Sequence, residues 1–258
     1  MDIENKRIIV TGCSSGMGAA TVRAYAGAGA NVVGMDIVEE AGTTVCSQAD
    51  TTSSGSAVFL PIDVADFDSV QKAFAEAVTH LGGLDVLAHP AAVHQASDTA
   101  EIRVEDWDWI FGINVRGTML TNQAAYPHLK ESGGGAIINF GSISGQRPES
   151  TSAAYSATKG AVHAWTRSAA GSWGADNIRV NAILPAIATP MHKKAWEDSD
   201  EAEQTRKFWR NMEGISLGQK YGDPDEDLGP VMVFLASDAS HFITGQLIPV
   251  DGGQGNVR

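Results

Sequence analysis

The chain has 258 residues, 43% of them hydrophobic and 19% charged, with a mean hydropathy of −0.10 and a pI near 4.8. That is enough apolar sequence to bury a full core, and it excludes a disordered chain. A net charge of −13 argues against nucleic acid and anionic membranes, where binding starts with cations meeting phosphate.

Two cysteines, Cys13 and Cys46, cannot build a disulfide-dense secreted scaffold. The acidic, polar start lacks the order of a signal peptide, and no apolar run approaches the roughly 18 residues of a membrane span. A cytoplasmic location is the resulting expectation. Glycine stands out at 28 residues, spread along the chain as in a fold with many tight turns.

In chain order, short β-rich runs alternate with helical patterns. Strands are predicted at Arg7–Val10, Asn31–Asp36, Ala57–Ile62, Leu84–His89, Ala136–Phe140, Arg179–Leu184 and Gln246–Val250. Most are apolar throughout, as in strands covered on both faces. Helices are predicted at Met17–Ala28, Phe67–Leu81, Val104–Lys130, Ser152–Trp173 and Asp225–Ala236. Such alternation builds right-handed βαβ units, so the expected fold is α/β: one Rossmann-type domain, a doubly wound parallel sheet with helices on both faces. The stretch from Pro185 to Gly222 breaks this rhythm. It carries Met191, His192, Trp196, Phe208, Trp209 and Met212, and its length suggests a substrate-binding lid; surface helices packing on the body are the alternative.

The first strand runs into Thr11-Gly12-Cys13-Ser14-Ser15-Gly16-Met17-Gly18 and then an Ala-rich helix. Gly12 permits a tight turn, Gly16 lets a pyrophosphate reach the backbone, and Gly18 allows close helix–strand contact. Amides of Ser14, Ser15 and Met17 at the helix start then meet the phosphates. The second strand ends at Asp36, 24 positions after Gly12, where a carboxylate accepts from the adenosine ribose hydroxyls. The same charge repels a 2′-phosphate, by roughly 4 kcal/mol for unit charges ~4 Å apart at an effective ε of ~20. No Arg or Lys lies in the turn or just after Asp36, where Ile37 and Val38 follow. NAD is therefore expected over NADP. Asp63 and Val64, after the third strand, suit an adenine amino group and ring, or alternatively a helix cap.

Tyr155 and Lys159 stand four positions apart on one helical face. An ammonium beside a tyrosine favours the phenolate and lowers a pKa that is otherwise about 10. Ser142 follows the fifth strand, at the edge where such sheets bind ligands, and its hydroxyl is placed to hold a substrate oxygen.

Together, TGCSSGMG, Asp36, Asp63-Val64, Asn114, Ser142, Tyr155-Ser-Ala-Thr-Lys159 and the closing Val250-Asp251-Gly252-Gly253 resemble the short-chain dehydrogenase/reductase family across essentially the whole chain. The resemblance implies NAD(P)-dependent interconversion of alcohols and ketones, with Tyr155 as acid/base and Ser142 orienting the substrate oxygen. Lys159 would bind the nicotinamide ribose and lower the tyrosine pKa, and Asn114 would hold a water in a relay from Lys159. A homotetramer, or a dimer, joined near Gln246–Val250 is also implied.

Three departures from the family pattern stand out. His89-Pro90-Ala91-Ala92 replaces the usual Asn-Asn-Ala-Gly; Pro90 removes an amide donor and Ala92 disfavours positive φ. His89 is read as an adenosine-side contact, with Ala91 beside the cofactor. Pro185-Ala186 replaces Pro-Gly, and the stretch to Thr189 is one residue short, so Pro185, Ile187 and Thr189 are the expected nicotinamide-side contacts. For the substrate, His94, Met191 and Trp196 join Ser142 and Tyr155, with Gln95, His192 and Trp209 in segments that face the same way. These suggest an apolar or cyclic alcohol or ketone, up to steroid size. A sugar or polyol dehydrogenase and an NAD-binding sensor without turnover are the alternatives. No ligand-like His/Cys/acid cluster points to a metal. Cys13 is read as a small packing residue, and Cys46 has no chemical context.

Overall fold

Seven parallel strands carry the architecture in the computed structural model, which describes every residue except 53, 148, 150, 198–199, 209–211 and 256–258. They are β1 (Arg7–Thr11), β2 (Asn31–Asp36), β3 (Ser56–Pro61), β4 (Val86–His89), β5 (Gly135–Phe140), β6 (Ile178–Pro185) and β7 (Leu247–Val250). Their order across the sheet is β3-β2-β1-β4-β5-β6-β7. The chain therefore reverses its direction of travel between β1 and β4, the crevice where doubly wound sheets bind ligands.

Side-chain alternation sorts each strand between two cores. On β1, Ile8 and Val10 point to one face while Ile9 points to the other; on β5, Ala136, Ile138 and Phe140 oppose Ile137. Helices α1 (Gly16–Gly27), α2 (Glu39–Thr52) and α9 (Gly229–Ala236) cover the first face. Helices α3 (Phe67–Leu81), α5 (Gly117–Glu131) and α6 (Ala153–Trp173) cover the second. Each fully buried Ile or Leu contributes about 1.5–3 kcal/mol, which is why apolar runs of this kind become central strands. Across the amino edge, Asp85 takes two charge-assisted bonds from Arg7, through Nε and Nη2, as well as the Arg7 backbone N–H. These bonds hold its carboxyl below the usual range and tie β1 to the start of β4.

Two expectations need correction. The long helix over Val104–Lys130 is interrupted: α4 (Val104–Phe111) passes through a π-helical turn, Gly112–Arg116, into α5. Buried Asn114 sits in that turn. Helix α2 was not expected, because four of its fourteen residues are Thr, and Gly, Val, Cys, Ser and Asp are among the rest, all weak helix formers. Its buried Gly42, Cys46 and Ala49 nevertheless form a helical stripe, and Gly42 lies against the Phe59 ring. In the stretch 185–222, the structure places α7 (Pro190–Glu197) and α8 (Glu201–Lys207). The ends of that excursion are pinned together, since Ala188 N–H donates to Gly222 O at 2.8 Å and Gly222 N–H to Ala186 O at 3.0 Å. Among the described residues, no helix is long and apolar enough to cross a membrane.

Candidate active site

A cavity of about 760 Å³ runs along the carboxyl edge of the sheet. One end is built by the glycine turn. Gly12 holds φ 63°, and a Cβ there would lie 2.7 Å from the Ala91 backbone, so only glycine lets the turns after β1 and β4 touch. A Cβ on Gly18 would run into the Gly12 carbonyl. Ser15 caps α1 without a side-chain bond, so its hydroxyl does not occupy the first-turn amides, and Ser14, Ser15, Gly16 and Met17 line the cavity here. Such an uncapped helix start suits a phosphate.

Asp36 stands at the end of β2, accepting from Ser14 N–H at 2.9 Å and Val38 N–H at 3.0 Å. Each oxygen keeps acceptor capacity for a ribose hydroxyl. Ile37, Asp63, Val64 and Ala91 complete this end. One Asp63 oxygen is bound by Ala65 N–H at 2.9 Å, while the α3 cap falls to Asp66; the alternative of Asp63 as that helix cap is thereby removed. Pro185, Ile187 and Thr189 line the same cavity, Thr189 lying 3.6 Å from the place of a Cβ on Gly16.

His89 does not join them. It is 2% exposed, and its Nδ1 meets Thr11 Oγ1 at 2.8 Å and Thr121 Oγ1 at 3.2 Å. Burial pushes its pKa down to about 3. The side chain at the last position of β4 points into the body, not to the cavity, so the adenosine-side contact expected for it is replaced by a core role. Nor does Ala92 strain the turn: positive φ among the described non-glycine residues is confined to Asn5, Asn177 and Gln219.

At the other end, α6 presents Tyr155, Lys159 and His163 at successive i+4 positions. Tyr155 and Ser142 line the same cavity, close enough for the serine to favour the phenolate, and Lys159 Nζ lies 5.5 Å from the tyrosine ring centroid. Lys159 donates to Phe140 O at 2.7 Å, and burial lowers its pKa to about 8. Burial also raises the Tyr155 phenol above its ordinary value, with the Ser142 contact acting the other way. The lowered tyrosine expected from the neighbouring ammonium is therefore not seen in the protein alone.

Asn114 lies behind this wall, 1% exposed. Its amide grips the segment after β4, accepting Val93 N–H at 2.8 Å and donating to Val93 O at 2.9 Å, with a further bond to Thr158 Oγ1 at 3.1 Å. Its side chain thereby places Val93 and His94 along the wall. His94 stands edge-on to Tyr155, ring centroids 4.8 Å apart, and its Nε2 meets Ser152 Oγ at 3.0 Å.

Trp196 lines the substrate end with Met212 and Tyr221. Trp209 and the side chains of Met191 and His192 lie outside the described residues. Sequence reasoning missed the polar share of this wall, which includes Ser144, Arg147, Glu149, Thr151 and Gln254. The loop after β5 signals the first four by following directly on Ser142. Gln254 is signalled by the glycines that close the chain after β7.

A parallel sheet of this order, with a glycine turn at one end of its crevice and a Ser-Tyr-Lys set at the other, is the plan of the short-chain dehydrogenases/reductases. A family model described as enoyl-(acyl carrier protein) reductase matches residues 12–254, and the chain belongs to that family of nicotinamide-dependent oxidoreductases. It is 37% identical over 253 residues to meso-2,3-butanediol dehydrogenase of Serratia marcescens, covering 98% of this chain and 96% of that protein. Identity to D-threitol dehydrogenase of Mycolicibacterium smegmatis is 34% over 252 residues, covering 97% of this chain and 93% of that protein. Among solved structures, a short-chain type dehydrogenase/reductase from Mycobacterium marinum superposes with a TM-score of 0.89 at 30% identity, covering 100% of this chain and 98% of that one.

The cavity fits a dinucleotide, and one substitution tests the fit. If a nicotinamide dinucleotide raises the melting temperature, Gly18→Ala is expected to abolish that rise, because the added methyl group must displace the Gly12 carbonyl. Thermal unfolding with and without NAD checks this; an undiminished shift would mean that the turn does not cradle the phosphates.

Proposed function

We propose that the protein is an NAD-dependent dehydrogenase that oxidises a secondary hydroxyl of a small polyol, sugar or vicinal diol to the ketone, and that it reduces the ketone in reverse. One observation carries this reading: Ser142, Tyr155 and Lys159 open onto the same cavity as the glycine turn and Asp36. When bound, the nicotinamide supplies the hydride acceptor. The remaining steps belong to the chain. Ser142 receives Ser144 N–H on its Oγ at 3.1 Å, which leaves its own hydroxyl proton for the substrate oxygen. Tyr155, as phenolate, takes the proton of the substrate hydroxyl. The Lys159 ammonium beside the ring stabilises that phenolate. Asn114 positions the His94 segment along the same wall.

The substrate class follows from the wall. Arg147, Glu149 and Thr151 give this wall polar side chains, which suit a hydroxylated ligand better than a wholly apolar one. The names of the butanediol and threitol relatives support the same choice. Asp36, with no cation in the glycine turn, supports NAD over NADP. A homotetramer joined along edge strand β7 gives a use to Phe242, which is 95% exposed close by.

The test is NADH formation from NAD with a panel of vicinal diols, tetritols, pentitols, aldoses, cyclic alcohols and hydroxysteroids, repeated with NADP. Turnover of a polyol or sugar with NAD is the expected result. Turnover confined to steroids would overturn the substrate class. NAD binding without turnover of any of these alcohols would favour a sensor.

A further inference from the structure

Gly141 to Gly145, the turn that carries Ser142, is folded around one imidazole. His163 projects from α6 one helical step beyond Lys159, and it is 2% exposed. Its Nε2 accepts the backbone N–H of Ser142 at 3.3 Å. A Cβ on Gly141 would lie 2.5 Å from that same Nε2, and a Cβ on Gly145 would lie 2.7 Å from the ring's Cε1. Neither position can carry a side chain while the ring is there, and the two glycines grip it from both ends of the turn. A backbone amide can only donate, so Nε2 must be unprotonated. Burial favours that form, pushing the His163 pKa down to about 4.

We propose that His163 is a positioning residue for Ser142: its ring is the template for the 141–145 turn and its Nε2 fixes the direction of the serine. The inference rests on the reading of Ser142 and Tyr155 as the reacting set, and it adds a residue to which that reading assigns no role. Tyr155, Lys159 and His163 share one face of α6, so a single rigid helix sets the acid/base, the ammonium and, through His163, the hydroxyl that meets them. The serine is thereby registered to the tyrosine by α6 as well as by the end of β5.

The experiment compares His163→Leu with His163→Gln and His163→Asn, using the best alcohol found for the wild-type enzyme. Leucine keeps most of the volume and removes the acceptor. Glutamine puts an oxygen near the place of Nε2, and asparagine is too short to do so. For His163→Leu, kcat is expected to fall about 10- to 100-fold, the scale of a small misplacement in a reacting geometry. The Kd for NAD, read by fluorescence quenching, is expected to stay within about twofold, because the glycine turn and Asp36 are untouched. His163→Gln is expected to recover most of the rate and His163→Asn is not. In a Ser142→Ala background, His163→Leu is expected to cost almost nothing further, since its effect runs through the serine. If the leucine variant fails to fold, the glutamine–asparagine pair decides alone. Equal rates for those two, or an undiminished effect of His163→Leu without Ser142, would overturn the proposal and make His163 a packing residue. A wild-type enzyme that oxidises no alcohol would instead sink the dehydrogenase reading itself.

Discussion

Tyr155→Phe is expected to lower kcat for alcohol oxidation about 10²- to 10⁴-fold, the range a positioned general acid/base contributes. The phenylalanine ring keeps the edge contact with His94 and the packing beneath Lys159, so the loss is confined to the hydroxyl. NAD affinity should barely change, because that interaction belongs to the transition state and not to cofactor binding. The pH profile carries the sign. Burial holds the phenol above its ordinary pKa in the protein alone, so oxidation, which needs the phenolate, should accelerate as pH rises. Burial lowers the Lys159 pKa to about 8, and the supporting ammonium is therefore lost as pH climbs past that value. In the wild-type enzyme, oxidation should rise with pH and then flatten or fall on the alkaline side. In the phenylalanine variant the rising limb should vanish. Stopped-flow and steady-state NADH absorbance across pH measure both; a variant that keeps turnover and the rising limb would remove Tyr155 from the mechanism.

The second large effect concerns the choice between the two dinucleotides. Asp36→Ser is expected to raise the ratio of kcat/KM for NADP over NAD by about 10²- to 10³-fold, given ~4 kcal/mol of repulsion between unit charges at ~4 Å and an effective ε of ~20. Two effects contribute. The ribose hydroxyls lose their acceptor, which weakens NAD, and the 2′-phosphate loses a neighbouring anion, which admits NADP. Adding Ile37→Arg should strengthen NADP further, because Ile37 is 69% exposed beside the cavity and leaves room for a guanidinium. The substitution also strips Ser14 N–H and Val38 N–H of the oxygens they reach now. A stability loss of about 1–2 kcal/mol is therefore expected as well. Steady-state kinetics with both cofactors decide the matter. An unchanged ratio would show that Asp36 does not face the adenosine ribose.

Much of the site was legible because its parts are local. A glycine turn is readable where it joins a strand to a helix, and Gly12, Gly16 and Gly18 stand at the positions a phosphate turn requires. Tyr155 and Lys159 are readable because four residues make one helical turn. Where the sequence misled, the missing quantity was direction. His89 occupies the last position of β4, and the strand's alternation sends its ring toward Thr11 and Thr121 in the core. For Asn114, only the π-helical turn that holds it shows that its amide also grips Val93. Helix α2 was invisible because packing against β3, and not propensity, makes it helical.

The sequence by itself determined the parallel α/β class, the glycine turn between β1 and α1, the acidic end of β2 and the shared helical face of Tyr155 and Lys159, since each is written in periodicity or short-range spacing. Only the tertiary structure decided what those parts touch. Cys46, without context along the chain, meets Cys13 around Gly34, where the two sulfurs lie 2.5 and 3.1 Å from the place of a Cβ. Trp196, Met212, Tyr221 and Gln254 come from distant stretches to line one cavity. The imidazole of His163, 21 residues from Ser142, sets the serine turn. Contacts such as these are fixed by sheet order and helix packing, which bring together residues with no common spacing in sequence.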